Sequence, residues 1–277
     1  MTKLMLSGCG GLVLWLAAVP AFSQPDLIVD QKFLNQNWIV RTEDFTSTQC
    51  DAIEGGISAG EHPIMRFSVA TPNIGNVPEA VGDPNAHVAA NDGLFEFAPC
   101  HRHYHFRHYA LYELIDPATG FSWRSAKRGF CMEDNVKYQL YPGPNNDKPV
   151  FTVCGAPPLD GMPAITGNQG ISPGFADLYV WQLQGQYFVL DGGDGQPPVP
   201  PGSYIIRITV NPGFVPAAGE ICRFADPLHP GVCHQLEESD YENNITQITV
   251  TVPDHPGKQA VGPLKDQQNT PIPPLIP

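Results

Sequence analysis

Basic residues are scarce in this sequence of 277 residues, which has 15 Lys and Arg against 28 Asp and Glu and a formal charge of −13. Nucleic acids and anionic membrane surfaces bind proteins through clustered Lys and Arg, so the charge argues against both as partners. A negative field attracts cationic partners instead, such as an amine or a lysine-rich polypeptide. Solubility alone is the other explanation of the charge.

Long apolar runs are also lacking beyond the amino terminus. No segment after residue 23 reaches 18 consecutive apolar residues, so no membrane span is expected. Residues 1–23 begin with a positive Lys3, continue with an apolar stretch at 10–18 and end in the small-residue site Ala21-Phe22-Ser23. This pattern predicts a cleaved signal peptide, and we therefore expect a secreted or periplasmic protein.

Helical periodicity is nearly absent, and strand-like segments recur between turn residues instead. The predicted strands are 26–29, 38–41, 64–70, 94–97, 101–115, 121–124, 178–190, 204–210 and 245–252. In the last two, apolar and polar residues alternate, so each has one buried face and the two should pair. The sequence predicts a single all-β, sandwich-like domain at 24–256 with little helix, followed by a disordered tail at 257–277.

Proline and glycine are abundant, with 30 and 27 residues. They predict long loops, above all at 142–174 and 191–202. Loops of this length are usually functional or disordered, and these two are where substrate selection is expected, although their sequences indicate no particular substrate.

Six cysteines remain once the signal peptide, which contains Cys9, is removed. An even number in an oxidising compartment predicts disulfides, and six cysteines allow 15 pairings. Cys222 and Cys233 flank one Pro-rich loop and are predicted to pair with each other.

Three histidines alternate with other residues in the run Cys100-His101-Arg102-His103-Tyr104-His105. In an extended strand His101, His103 and His105 would share one face, with neighbours about 6.5–7 Å apart. Three neutral imidazoles that leave a coordination position open are typical of a catalytic metal centre, and copper is favoured over zinc. Surface histidines on a polar strand face are the alternative.

The flanks of this run resemble the copper-binding segment of the lysyl oxidase family. The run 98–105 is followed by His108-Tyr109 and by Leu114-Ile115-Asp116, as in that family. Later blocks of the family resemble segments here in the same order: 127–134, 170–179, 201–212 and 238–244. The resemblance covers about residues 94–252.

This resemblance implies that His101, His103 and His105 bind copper(II), and that Lys127 and Tyr179 form a lysine tyrosylquinone cofactor. With oxygen, the family's chemistry turns primary amines into aldehydes and releases ammonia and hydrogen peroxide. The addition of Lys127 needs a neutral amine, so a lowered pKa would favour it. Asp177, two residues before Tyr179 and on the same strand face, is our candidate base, with a purely structural role as the alternative.

The family resemblance also implies a calcium site that ties the first strand to the last. Its ligands would be the Asp26 side chain, the Leu27 carbonyl and the oxygens of a second group near the last strand: Glu238, Asp240, Asn243 and Asn244. Calcium prefers six to eight oxygen ligands. In the alternative interpretation, these Asp and Asn residues only form the turn before Ile245.

Two features depart from the family pattern. By resemblance Cys100 should pair with Cys154, but the partner that the family provides for Cys131 a few residues downstream is missing here. Cys50 is then the remaining candidate partner of Cys131. The link from His105 to His108 is shorter than in the family, so His108 could lie at the metal, beside a ligand, or in the core.

These features favour an exported copper-dependent amine oxidase that acts on peptidyl-lysine or small primary amines. A non-catalytic copper-binding module for adhesion or metal handling is one alternative. A zinc hydrolase is another, although no Glu has the spacing of a metalloprotease helix. The sequence gives no indication of the oligomeric state.

Overall fold

The computed structural model describes residues 23–140, 148–217, 220–258 and 261–265. The predicted signal peptide therefore lies almost entirely outside the described residues. Within them, helices are short: α1 (Gln31–Gln36), α2 (Cys50–Ile53) and α3 (Pro84–Ala90). The strands are β1 (Trp38–Phe45), β2 (Gly60–Phe67), β3 (Val69–Pro72), β4 (Glu79–Gly82), β5 (Phe95–Ala98), β6 (His103–Phe106), β7 (Ala110–Ile115), β8 (Ser122–Arg124), β9 (Val136–Lys137), β10 (Gln169–Ile171), β11 (Phe175–Tyr179), β12 (Tyr187–Val189), β13 (Gly202–Val210), β14 (Phe224–Ala225), β15 (Cys233–His234) and β16 (Ile245–Val252). The prediction of a mainly β protein with little helix is confirmed.

The strands form antiparallel sheets. The largest has the order β16-β13-β7-β8, and two three-stranded sheets have the orders β1-β2-β12 and β3-β11-β9. Strand pairs β10-β4, β14-β15 and β5-β6 complete the set in the described part of the chain. As predicted, β13 pairs with β16, from Gly202 opposite Val252 to Thr209 opposite Ile245. Every second residue of β16 is buried, as the alternation indicated.

Several predicted strands are interrupted. The segment 101–115 divides into β6 and β7, because the chain turns between them and His108 has φ 59°. Similarly, 178–190 divides into β11 and β12, and 64–70 divides at Ser68 between β2 and β3. The predicted first strand makes a single bridge, between Leu27 and Asn73. Their apolar and aromatic content identifies these segments as strands, but the types of side chain alone do not show where the chain turns within them.

One large hydrophobic cluster includes Phe130 and Tyr179. Within it, Phe130 makes edge contacts with Tyr109, Tyr112 and Tyr179, with ring centroids 5.2–5.4 Å apart. These aromatic contacts fix the carboxyl end of β11 against the segment that follows β8. Among the described residues, no helix is long and apolar enough to cross a bilayer.

Part of the predicted tail is described and lies against β1. Thr42 donates to the Gly257 carbonyl, and Val40 exchanges backbone hydrogen bonds with Val261. Leu264 is buried with Ile39 and Trp181. The residues from 266 onwards lie outside the described part of the chain.

Three disulfides are present among the described residues. Cys222 pairs with Cys233, as predicted. The other two predicted pairs are wrong, because Cys50 is bonded to Cys100 and Cys131 to Cys154.

The Gln169 side chain shows why Cys131 and Cys154 meet. Its oxygen accepts from the Met132 N–H and its nitrogen donates to the Cys154 carbonyl, at 3.1 and 2.9 Å. These hydrogen bonds of Gln169 join segments that are distant in the sequence, so the spacing of the cysteines could not have predicted the pair.

Candidate functional site

The three histidines lie on and before β6, opposite β5. His103 and His105 are in the strand, where His103 pairs with Ala98 and His105 with Glu96. His101 is not in the strand: it belongs to the turn after β5, in which Arg102 has φ 62°. The turn nevertheless returns the His101 ring to the others, with centroids 5.8 Å from His103 and 5.2 Å from His105, while His103 and His105 are 5.0 Å apart.

The imidazoles of His103 and His105 are held in their neutral form. Burial is the main cause that lowers the pKa of His103 to about 4 and that of His105 to about 2, and the positive charge of Lys127 adds to it. Neutral imidazole is the form that binds metals. His105 Nε2 is also buried without a hydrogen-bond partner, and coordination to a metal ion would satisfy this nitrogen instead. The donor set therefore fits copper.

Another group of candidate ligands lies nearby. Among the described residues, Cys131, Glu133 and Cys154 form the one set of three ligand atoms within 4.8 Å of one another. Both sulfurs are joined in a disulfide, and it is the thiolate that binds metals. The imidazole nitrogens of the three histidines are farther from one another than these atoms. Neutral imidazole, unlike a disulfide sulfur, is nevertheless a good metal ligand.

Gly129 makes room for His105. A Cβ at this position would lie 1.9 Å from His105 Nδ1 and 2.6 Å from Cγ, far inside van der Waals contact. The sequence analysis did not identify Gly129, because nothing in its local pattern shows that an imidazole from a distant strand approaches it.

Lys127 and Tyr179 meet beside the histidines. Tyr179 ends β11, and Lys127 lies between β8 and the bridge at Phe130, with Nζ 5.2 Å from the centre of the Tyr179 ring. The Tyr179 hydroxyl donates to the Cys131 carbonyl and accepts from the Cys131 N–H, both at 2.8 Å. The phenol is thus fixed by two backbone groups, and the amine faces its ring.

The charge state of Lys127 is shifted toward the neutral amine. Burial lowers the pKa of Lys127 to about 8, and the negative charges of Asp177, Asp51 and Glu54 oppose the shift. At neutral pH about a tenth of such an amine is uncharged, several hundred times more than for an ordinary lysine.

Asp177 is buried in the middle of β11. Burial raises the pKa of Asp177 well above its ordinary value, and Glu133 adds to the shift, while Lys127 and hydrogen bonds with Tyr109 and Tyr179 oppose it. One carboxylate oxygen, Oδ2, has no hydrogen-bond partner. The structure places this carboxyl group beside the phenol and the amine.

Two cavities are lined by both His101 and Lys127. One, of about 380 Å³, is lined by His101, His103, Lys127, Asp177 and Tyr179, among others. The second, of about 310 Å³, is lined by Glu54, His101, His105, Lys127 and Gly129, among others. The structure therefore brings together the five residues that the sequence proposed for copper and the quinone, together with Asp177, the candidate base.

The predicted calcium ligands also meet, although direct hydrogen bonds join most of them. Asp26 accepts from Asn243 Nδ2 and from Ser239 Oγ, at 2.9 and 3.0 Å. Glu238 accepts from the Leu27 N–H at 2.7 Å and from Asn244 Nδ2 at 3.0 Å. The amide oxygens of Asn243 and Asn244 are buried without partners. The first and last segments are thus tied together, with unsatisfied oxygens beside the link.

Two other predicted residues, Asp240 and His108, make contacts outside these groups. The Asp240 carboxylate accepts from the Glu242 N–H at 2.8 Å, as a turn residue does. The His108 ring stacks on Phe214 at 4.8 Å, and its Nε2 is 3.2 Å from Glu220 Oε1. His108 thus contacts residues of the later chain. It lines neither of the two cavities above but a third, of about 590 Å³, which Lys127 also lines.

Comparisons with a family model and with curated proteins point to the same family. The family model described as "Lysyl oxidase" matches residues 25–221. Lysyl oxidase homolog 2 of Homo sapiens is 26% identical over 249 residues, covering 85% of this chain and 26% of that protein. Lysyl oxidase homolog 2B of Danio rerio is 26% identical over 245 residues, covering 80% and 24%. The chain spans about a quarter of the length of these curated relatives.

Proposed function

The chain belongs to the lysyl oxidase family, and we propose that it is a copper-dependent amine oxidase acting on peptidyl-lysine or small primary amines. The observation that carries the proposal is the common cavity in which Lys127 Nζ faces the Tyr179 ring beside His101 and His103. Copper(II) and a lysine tyrosylquinone, once formed there, would supply oxygen-dependent oxidation of the amine to an aldehyde, with ammonia and hydrogen peroxide as the other products.

The chain's own residues divide the remaining tasks. His101, His103 and His105 would hold the copper as neutral ligands. Lys127, with its lowered pKa, supplies the uncharged amine that cofactor formation needs. Glu54 and Glu133 line the cavities around Lys127 and would attract the ammonium group of a substrate.

Peptide mapping by mass spectrometry tests the proposal directly. Mature protein prepared aerobically with copper should contain a covalent link between the Lys127 and Tyr179 peptides, with the mass of a quinone adduct. Unmodified peptides in fully copper-loaded protein would favour the non-catalytic copper-binding module instead. Zinc in protein matured with both ions available would favour a hydrolase.

We propose Asp177 as the base that removes the substrate α-proton, because it lines the same cavity and has an unpartnered oxygen there. Asp177→Asn should lower amine turnover about 10²–10⁴-fold, the usual contribution of a general base, with copper content and cross-link unchanged. Steady-state kinetics beside peptide mapping would measure this. Asp194→Asn, at an exposed ion pair with Arg128, is the control and should leave turnover unaltered. Normal turnover in Asp177→Asn with an intact quinone would assign Asp177 a structural role.

We also propose a structural calcium site formed by Asp26, Leu27, Glu238, Asn243 and Asn244, with Asp240 nearby. The buried, unpartnered oxygens of Asn243 and Asn244 support it, because calcium would satisfy both.

Calcium should therefore stabilise the fold. At about 100 times its dissociation constant, a ligand adds about 2.7 kcal/mol to the free energy of unfolding, or roughly 5–10 °C in melting temperature for a chain of this size. Melting curves with calcium and with a chelator measure the difference. Glu238→Gln should abolish it, whereas Glu61→Gln, at an exposed pair with Lys258, should retain it. Equal melting temperatures with calcium and chelator in the unmutated protein would show that these residues only form a turn.

We propose that the mature protein is secreted or periplasmic and that residues 24–256 act as one catalytic domain. Three disulfides support export, since such bonds persist in oxidising compartments. Oxygen and a primary amine or lysine-containing polypeptide are the proposed reaction partners.

A further inference from the structure

Glu54 makes two hydrogen bonds to the segment that contains the first histidine. It follows α2, and its backbone N–H donates to the Cys50 carbonyl at 2.8 Å. Its carboxylate then reaches across to the turn after β5. One oxygen accepts from the Cys100 N–H at 2.6 Å, and the other lies 2.9 Å from His101 Nδ1.

The second hydrogen bond selects one tautomer of His101. A carboxylate only accepts, so the hydrogen must be on His101 Nδ1, and the lone pair is then on Nε2. A histidine that binds a metal through one nitrogen commonly donates from the other to a carboxylate, which fixes the ring and makes it a better ligand. His101 needs this support most of the three, because it lies in a turn rather than in β6.

A disulfide keeps Glu54 in place. Cys50, the first residue of α2, is bonded to Cys100, the residue before His101, with a Cα–Cα distance of 5.6 Å. On the other side of α2, the Asp51 carboxylate accepts from the Gly185 N–H at 2.8 Å. A Cβ on Gly185 would lie 3.4 Å from the Lys127 Cα, so this loop packs directly on the lysine segment. The α2 turn therefore spans the gap between the histidine segment and Lys127.

We propose that Glu54 is a positioning residue for copper binding, which selects the Nε2 lone pair of His101, and that the Cys50–Cys100 disulfide holds it there. The inference rests on the proposed function, because it assumes that His101 is a ligand. It adds a residue from outside the histidine run and a role for a disulfide that the family pattern did not predict.

Copper affinity is the first test. In competition with a chelator, Glu54→Ala should bind copper about 10–100-fold more weakly than the unmutated protein, and its copper electron paramagnetic resonance spectrum should change. Glu54→Gln should be intermediate, since an amide keeps one accepting oxygen. The matched control is Asp92→Ala, which breaks a similar carboxylate–imidazole pair between Asp92 and His87, 2.6 Å apart. It should leave affinity and spectrum unchanged.

The His101 tautomer provides a second test that needs no metal. Nitrogen NMR of the copper-free protein, labelled at histidine, should show His101 with its hydrogen on Nδ1, and Glu54→Ala should lose this preference. Unchanged affinity, spectrum and tautomer in Glu54→Ala would overturn the inference. If the unmutated protein bound no copper but Glu54 still controlled the tautomer, the proposed function would fail and the contact would stand.

The role of the disulfide has its own test. Replacing Cys50 and Cys100 together by Ser should weaken copper binding in the same direction as Glu54→Ala, by a smaller factor, because the hydrogen bonds of Glu54 can still form. Melting curves of the copper-free variants verify that each is folded. Full affinity in a folded double variant would show that the disulfide plays no part in positioning Glu54.

Discussion

Replacement of Lys127 by arginine should abolish amine oxidation and leave copper binding unchanged. Arginine keeps the positive charge and much of the length of lysine, so the cavity should keep its shape and polarity. Its guanidinium stays protonated at any pH that a protein tolerates and cannot add to a ring as a neutral amine. The pKa of Lys127, lowered by burial to about 8, is what distinguishes it chemically from arginine here.

Three measurements on Lys127→Arg separate the possible functions. Turnover should fall to background, no link to the Tyr179 peptide should form, and copper content should match that of the unmutated protein. Lys258→Arg, the same change at an exposed ion pair with Glu61, is the control and should retain normal turnover, the link and the copper content. Amine oxidation that survives in Lys127→Arg would exclude a cofactor made from this lysine, and a copper-binding protein with no activity in either form would be the non-catalytic module.

Gly129→Ala should remove copper binding through a single methyl group. The added Cβ would lie 1.9 Å from His105 Nδ1, so the imidazole must move away from its position beside His101 and His103. Copper affinity should fall by more than the roughly 100-fold that loss of a ligand's hydrogen-bond partner costs. The displaced ring is buried, so crowding should also lower the free energy of unfolding, by about 1–3 kcal/mol.

The control for Gly129→Ala is Gly193→Ala. A Cβ there would lie 3.1 Å from the Val189 side chain, a close contact that a small shift relieves, and Gly193 is away from the histidines. Isothermal titration with copper and thermal melting should show a large loss for Gly129→Ala and little change for Gly193→Ala. Equal copper affinity in the two variants would mean that His105 is not required as a ligand.

Much of the site could be predicted because its chemistry requires particular residue types. The alternating histidines, Lys127, Asp177 and Tyr179 are far apart in the sequence but are the residue types that the proposed metal-binding and redox chemistry requires, and the structure brings them together. The fold class was predictable from the alternation in β13 and β16, where one face is buried and the other meets solvent.

Other parts depend on long-range contacts that the sequence does not display. The cysteine partners follow from α2 lying on the turn after β5, and a four-residue helix has no clear sequence signal. Gly129 is identified only by the His105 ring that packs on it, and Glu54 only by its contact with His101. The strand predicted through His101 was wrong because Arg102 adopts a left-handed conformation, which its residue type does not favour. In each case the deciding interaction lies between segments.

The way Tyr179 is held would decide which residue moves if the proposed cofactor forms. Pairing of β11 with β3 and β9 and two hydrogen bonds to Cys131 hold the phenol, whereas Lys127 lies outside any strand. A covalent bond requires the 5.2 Å between Nζ and the ring centre to shrink, so the lysine must travel to the tyrosine. Cofactor formation would then pull the backbone at 127–129 inward and make it more rigid. Formation of the proposed cofactor would thus irreversibly stiffen the segment that includes Gly129, which packs against His105.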